Sequence, residues 1–363
     1  GPRAMASPPE NVGFDDIEGW ANDDHLAALE TFRRSAVRMA EHPPKTRALG
    51  PDGDAVTAIG ALALQANIGS SKEARQFFET HFTPHRIGGE GLLTGFFEPV
   101  VEARTTRSAE FSHPLYARPD WLVDVDDRNR PDDWSSDIRY GRISDAGLVE
   151  APDRAAVMDG ALEGLGLEMV WLRDPVNAFF IHVQGAARVE LENGRSTRIT
   201  YAAKSGHAYT SIAKLLCARE GIDPATMTAD RLLDWMRANP ADADGLLRQT
   251  RSFIFFAFSE DATDPALGQV AAAKVQLTPG RSMAVDRLLH TFHTPIFINS
   301  SQPLPGDTEP LARLMVAQDT GSAITGAVRG DIFTGSGDEA GLVAGRVRHP
   351  LAMTVLMPKT CAA

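Results

Sequence analysis

Two aspartates near the C-terminus are the residues of this chain best placed for acid/base chemistry. Asp319 and Asp331 lie twelve positions apart, each at the edge of an apolar, β-prone run and beside threonine or glycine. An aspartate at the edge of a strand among small residues has a rigidly placed carboxyl group, which proton transfer in a cleft requires. The pattern predicts acid/base catalysis by this pair.

The segment Asp319-Thr-Gly has two other interpretations. The aspartate of such a segment often bonds its own backbone in a turn, which is a purely structural role. Asp-Thr-Gly is also the signature of aspartic proteases, but a protease of this length needs a second copy to form its pair of carboxylates. Neither Asp-Thr-Gly nor Asp-Ser-Gly occurs elsewhere in the chain, so protease activity is the weaker hypothesis.

The elements that must position these aspartates are mainly strands. Helical spacing and capping signals predict helices in the first eighty residues, at about 210–220, and from the Thr228 cap to Asn239-Pro240. From Gly91 onward, apolar runs between breakers predict strands. The predicted strands are 92–102, 167–172, 178–183, 187–191, 197–201, 253–258, 283–286, 295–298, 312–317, 331–334 and 351–357. Many short strands with few helices are typical of barrels.

Two segments between these elements have a distinct character. Residues 118–155 are polar, acidic and rich in proline, so we predict a solvated loop there. Asn193-Gly194 separates two predicted strands, which is a strong signal for a hairpin turn.

Composition bounds the class of protein. The 363 residues are 43% hydrophobic and 23% charged, which suits one large or two ordinary globular domains. A net charge of −12 without any basic block argues against nucleic acid as a partner. No apolar stretch approaches the ~20 residues that span a membrane. Cys217 lies in a helical pattern, which favours a buried free thiol over a bridge to Cys361.

Four segments, in order, resemble the membrane-bound lytic transglycosylase A family, which cleaves bacterial cell-wall glycan. They begin with Leu93-Thr-Gly-Phe-Phe-Glu-Pro-Val and continue with Phe179-Phe-Ile-His-Val-Gln-Gly. Leu277-Thr-Pro-Gly-Arg-Ser-Met-Ala-Val-Asp follows, and the C-terminal stretch that contains both Asp319 and Asp331 is the fourth segment. The likeness runs from about Gly91 to Val355, roughly three quarters of the chain.

The resemblance implies a mainly β fold with some helices. A large double-psi β-barrel domain would comprise residues 1–102, including the N-terminal helices, and 223–363. A smaller β-barrel would be inserted at 103–222, with a deep groove for the glycan between the two domains. We expect a lytic murein transglycosylase that cleaves the β-1,4 bond between N-acetylmuramic acid and N-acetylglucosamine and leaves 1,6-anhydromuropeptides. A glycan-binding barrel without catalysis is the alternative.

The resemblance also implies residue roles. Asp331 would serve as acid and then as base, with Asp319 as the supporting carboxylate. Thr94 and Gly95 on the large domain, and Gln184, Gly185 and Ala186 on the small one, would bind the glycan. One departure is that the family's Gln-Gly-Ser-Gly reads Gln-Gly-Ala-Ala here, so Ala186 lacks a hydroxyl.

No cofactor or metal is expected. His81 with His85, and His290 with His293, have ligand-like spacing but lack the glutamate or cysteine partners of a zinc site. The expected partner is the peptidoglycan glycan strand, bound by a monomer, with cell-wall synthesis or lysis complexes as further candidates. The start Gly-Pro-Arg-Ala-Met-Ala is typical of a cloning remnant and has no cysteine for lipidation. We expect a periplasmic protein, with outer-membrane association as the family alternative.

Overall fold

The computed structural model describes residues 8–359, so Cys361 lies outside the described part. The strands are β1 Glu10–Asn11, β2 Phe82–Arg86, β3 Gly91–Glu98, β4 Val100–Arg104, β5 His113–Tyr116, β6 Leu122–Asp124, β7 Tyr140–Ser144, β8 Gly147–Val149, β9 Glu168–Leu172, β10 Ala186–Glu190, β11 Ser196–Lys204, β12 Ile254–Phe258, β13 Ser282–Ala284, β14 Pro295–Ser300, β15 Leu311–Asp319, β16 Arg329–Ser336 and β17 Arg348–Pro358.

The α-helices are α1 His25–Glu41, α2 Gly53–Gln65, α3 Ser71–His81, α4 Arg154–Met158, α5 Pro175–Gln184, α6 Ile212–Glu220, α7 Ala229–Ala238, α8 Pro240–Leu247 and α9 Asp338–Gly345. Side-chain caps explain where most of them begin. The carboxylates of Asp24 and Asp52 accept from the first turns of α1 and α2, and the Ser70 hydroxyl does the same for α3.

The chain divides into two compact units, after Glu98 and again after Glu260. In the first unit, six strands pair in the closed ring β17-β14-β15-β13-β16-β3, because β3 also pairs with β17. Buried side chains such as Leu93, Met315 and Val355 fill the inside of this ring. The mainly β prediction with a barrel is therefore confirmed, while the double-psi crossing stays a prediction.

Helices α1–α3 cover one outer face of this barrel. Trp20, Phe32 and Phe78 are buried with Phe297 and Leu314, which β14 and β15 contribute. The amphipathic pattern that predicted these helices therefore reflects packing against the barrel.

The second unit is built on a six-stranded sheet of order β12-β11-β10-β4-β9-β5. A single bridge between Ala117 and Phe256 links its two edges, so the sheet curls towards closure. The predicted hairpin is confirmed: β10 and β11 pair antiparallel around Asn193, whose φ of 65° and neighbour Gly194 suit a tight turn.

Several expectations for the second unit were wrong. Residues 178–183 form helix α5 and not a strand, because Asp174 caps it, Pro175 begins it and Gly185 ends it in a left-handed conformation. The segment 118–155 is not only loop, since β6, β7 and β8 form a small sheet there. Pro240 ends α7 as predicted but also begins α8.

The second unit also extends beyond the expected limits of 103–222. Helices α6, α7 and α8 pack on Val176 and Phe179 of α5, and β12 pairs with β11. These contacts attach residues 223–260 to the inserted unit, whose first residue is Pro99. Cys217 is 4% exposed and carries a free thiol, as predicted.

Candidate active site

Asp331 and Thr94 lie side by side on neighbouring strands. Strand β16 pairs in parallel with β3, and the register places Asp331 opposite Thr94. Residues opposite each other share one face of a sheet, so their side chains can touch. The Thr94 hydroxyl donates to Asp331 Oδ1 over 2.9 Å. Thr94 and Asp331, which the sequence predicted to share a site, thus come together from the two chain segments of the first unit.

Arg329 is a third member of this group, which the sequence reasoning missed. Its Nη1 donates to the Thr94 hydroxyl over 2.8 Å, so Thr94 accepts from Arg329 and donates to Asp331. Arg329 stands two positions before Asp331 on one strand and therefore shares its face. That spacing was a signal from which Arg329 could have been found.

Asp319 lies on the other side of β13 from Asp331. Ala284 of β13 is in register with Asp319 on β15 and with Asp331 on β16, so one strand separates the two aspartates. At the usual strand spacing their Cα atoms are about 10 Å apart. A protease dyad shares one proton between carboxylates in contact, so this arrangement disfavours the protease interpretation.

The Asp319 carboxylate is held by the backbone. Its Oδ1 accepts from Thr320 N at 2.8 Å and from Ala272 N at 3.2 Å. The first bond is the local turn that the Asp-Thr-Gly pattern suggested, and the second fixes the segment around Ala272 beside the barrel. Asp319 therefore has a structural role in addition to its charge.

Burial raises the pKa of Asp331 to about 6, against the weaker opposing effects of the Thr94 hydrogen bond and the Arg329 charge. Burial also raises the pKa of Asp319 to about 6, and the charge of Asp331 contributes to that rise. Desolvation disfavours the ionised form of a carboxyl group. It therefore accounts for most of the rise at Asp331.

An aromatic pair supplies the apolar side of this environment. Phe333 and Phe96 face each other two residues beyond Asp331 and Thr94, with ring centroids 5.4 Å apart. Phe333 is fully buried. Ile332, the residue between Asp331 and Phe333, belongs to the core inside the barrel.

Gly95 has a packing role next to this group. A Cβ at Gly95 would lie 2.9 Å from Ala344 Cα, so the missing side chain lets α9 approach β3. Residues from Asp338 onward form α9, which sequence patterns did not predict.

The remaining predicted glycan contacts lie in the second unit. Gln184 is the last residue of α5, and Gly185 follows as its left-handed cap. Ala186 begins β10 and is only 3% exposed. Their roles as glycan contacts stay predictions.

Comparison with known proteins identifies the relatives of this chain. Residues 92–257 match the model of the MltA specific insert domain, and residues 281–357 match the 3D domain. The membrane-bound lytic murein transglycosylase A of Vibrio cholerae is 31% identical over 268 residues. That alignment covers 72% of this chain, and this chain spans 64% of the length of that relative.

Solved structures agree over the whole chain. A membrane-bound lytic murein transglycosylase from Agrobacterium tumefaciens is 42% identical with a TM-score of 0.90, covering 97% of this chain and 98% of that one. Escherichia coli MltA with bound chitohexaose is 25% identical with a TM-score of 0.68, covering 100% and 95%. The four ordered segments, the barrel that carries Asp331 and these likenesses agree: the chain belongs to the membrane-bound lytic murein transglycosylase A family.

Proposed function

We propose that this protein is a peptidoglycan lytic transglycosylase that cleaves the β-1,4 bond between N-acetylmuramic acid and N-acetylglucosamine. The observation that carries the proposal is the Asp331 carboxyl group, whose pKa burial raises to about 6 and which Thr94 holds in place. A carboxyl group in this state can keep a proton near neutral pH and give it to a leaving oxygen. Peptidoglycan is proposed as the substrate because the chain belongs to this family.

In the proposed reaction, Asp331 acts twice. Thr94 occupies Oδ1, which leaves Oδ2 to carry the proton to the glycosidic oxygen. The 6-hydroxyl of the muramic acid then attacks C1, and the Asp331 carboxylate accepts the proton of that hydroxyl. The bond to the leaving sugar breaks as the 1,6-anhydro ring closes. A hydrolase would need a second carboxyl group to activate water.

Asp319 is a positioning residue in this mechanism. Its carboxylate accepts from the backbone N–H groups of Ala272 and Thr320, so it anchors the segment at Ala272 and the turn at Thr320. Burial raises its pKa to about 6, so it carries little negative charge below that pH.

The substrate we propose is a long glycan strand. The Escherichia coli relative was solved with chitohexaose, a β-1,4-linked sugar chain, and 25% identity over the full length connects that protein to this one. We include Thr94 among the residues that meet the sugar, and Gln184, Gly185 and Ala186 as further contacts in the second unit.

Product analysis tests this function. Purified cell-wall sacculi are incubated with the protein, and the soluble products are identified by mass spectrometry. Anhydromuropeptides are the expected products. Products heavier by one water would show a hydrolase, and intact sacculi that retain the protein would show a binding module without catalysis.

The pH profile should report the proton on Asp331. We expect turnover to fall above an apparent pKa of about 6, close to tenfold per pH unit, because the acid form is then lost. The Thr94 hydrogen bond favours the ionised form, so Thr94→Val should move this midpoint upward. Thr94→Ser keeps the hydroxyl and is the matched control. Equal midpoints in wild type, Thr94→Val and Thr94→Ser would show that Thr94 does not influence the pKa of Asp331.

Chelation of metals should leave activity intact. Within residues 8–359, no group of three or more histidine, cysteine, aspartate or glutamate side chains is arranged to hold a metal ion. Proton transfer by Asp331 supplies the chemistry without one. Activity lost in EDTA and restored by zinc or calcium would contradict this view.

We propose a periplasmic location, at the cell wall that holds the substrate. None of the helices in the described part of the chain has the length and apolar character needed to cross a bilayer. The relatives are named membrane-bound. Association with the outer membrane or with cell-wall complexes is part of the proposal.

A further inference from the structure

A cationic cavity of about 290 Å³ lies in the first unit. Its walls are the end of α1, the segment after it, residues 272–274 and the segment from Arg287 to His293. No aspartate or glutamate lines it, although the chain as a whole carries a net charge of −12. Five cationic side chains line it: Arg38, Lys45, Arg47, Lys274 and Arg287.

In the described part of the protein, no salt bridge joins any of these five side chains to a carboxylate, although the charge of Arg287 acts on Asp319. Arginines elsewhere, such as Arg281 with Asp23, are paired at 2.9 Å. Arg287 instead lies over the ring of Phe292, 5.2 Å from its centroid. Like charges gathered round one cavity repel each other unless an anion joins them.

The cavity wall also contains unusual backbone. Only three non-glycine residues in the described chain have positive φ, and two of them, Lys274 at 65° and His293 at 73°, line this cavity. Side chains rarely adopt this conformation, and it concentrates where a site needs a particular geometry.

His290 lies in this wall without adding charge to it. Its Nε2 lies 2.7 Å from the carbonyl oxygen of Ala327, so that nitrogen carries the proton and donates. Burial lowers the pKa of His290, so the ring is neutral near pH 7.

The cavity borders Asp319. Ala272, whose N–H donates to Asp319 Oδ1, lines the cavity together with Ala273 and Lys274. One short segment therefore joins this group of cations to Asp319, which a single strand separates from Asp331. A substrate with negative charges near the cleaved bond would suit this arrangement.

We propose that this cavity binds the carboxylates of the peptide stem that murein carries on the lactyl group of its muramic acid. The inference rests on the proposed function and adds to it a preference for strands with peptides. Several cations with no acidic residue among them suit a ligand that carries more than one carboxylate, as the stem peptide does.

The test compares two substrates and three proteins. Wild type, Lys45→Gln with Arg47→Gln, and a charge-matched control are assayed on glycan strands with peptides and on strands stripped of them. The control is Lys72→Gln with Arg128→Gln, two exposed cations outside the cavity. Arg287 is left unchanged because its charge also acts on Asp319.

We expect the cavity variant to lose about tenfold in kcat/KM on peptide-bearing strands only, as removal of charged hydrogen bonds predicts. The control should match wild type on both substrates. A cavity variant that is unchanged on both, or equally reduced on both, overturns the inference. Formation of anhydro products in the same assay would leave the proposed function standing.

A binding measurement makes the inference independent of turnover. Calorimetry on the full chain compares a soluble stem tripeptide with free carboxylates, its amidated form and inorganic phosphate. We expect binding of the free tripeptide, weakened about tenfold by Lys45→Gln with Arg47→Gln and absent after amidation. Phosphate bound as tightly as the tripeptide would show a small-anion site, and no tripeptide binding would refute the assignment even if cleavage also failed.

Discussion

Asp331→Asn is expected to reduce turnover by at least ~10²–10⁴-fold while the fold and glycan binding persist. The amide is close in shape and can still accept from the Thr94 hydroxyl, but it cannot pass a proton in either step. The measurement is release of soluble product from sacculi by purified protein. A variant that keeps more than a tenth of wild-type activity would show that Asp331 is not the catalytic acid and base.

The same substitution should stabilise the protein at neutral pH. Since the pKa of Asp331 is raised in the folded state, its ionisation opposes folding, and the stability present at low pH is lost as pH rises through about 6. For this half-buried group we expect a gain of about 1–2 kcal/mol at pH 7 and almost none at pH 4. Asp145→Asn, an exposed position between β7 and β8, is the control.

Gly91→Ala is expected to destabilise the first unit by about 2–4 kcal/mol. A Cβ at Gly91 would lie 1.7 Å from the carbonyl oxygen of Val328, which also accepts from Leu92 N. The clash falls where β3 begins to pair with β16, the pairing that sets Thr94 against Asp331. Activity should therefore fall together with stability.

Gly69→Ala is the matched control for this substitution. A Cβ at Gly69 would meet nothing within 4 Å, and we expect a change within about 0.5 kcal/mol. Thermal and denaturant unfolding of both variants would check the pair. A Gly91→Ala protein as stable as wild type would contradict the close approach of β3 and β16.

Local sequence patterns predicted most strands of the barrel. Strand-forming runs bounded by glycine and proline located β14, β15, β16 and β17 to within a few residues, because each pattern reflects neighbours close in sequence. Asp319 ends β15 as expected, whereas Asp331 is the third residue of β16. Thr94 could be assigned only through the resemblance, since the β3–β16 pairing joins residues from opposite parts of the chain.

The failures have local physical causes as well. The run Phe179-Phe-Ile181 is apolar enough for a strand, but the cap at Asp174 and the glycine at 185 make it a helix. In this segment the capping residues outweigh the apolar composition. Short α9 was missed because its glycines resemble a turn, and its position depends on packing against β3 at Gly95.

Other features were beyond sequence reasoning. The cationic cavity gathers residues from 38 to 293, and no spacing rule relates Lys45 to Lys274 or Arg287. The end of the inserted unit depends on how α6–α8 pack on α5, which is a matter of tertiary contacts. The raised pKa of Asp331 likewise results from burial in the folded unit.

The most direct test of the single-carboxylate mechanism is cleavage of sacculi in ¹⁸O-water. If the 6-hydroxyl of the muramic acid attacks C1 while Asp331 moves the proton, no oxygen from water enters the product. Mass spectrometry should then show 1,6-anhydro ends without ¹⁸O, and the Asp331→Asn protein should yield none of them. Reducing ends that carry ¹⁸O would contradict the account, because they require a water molecule activated by a second carboxyl group.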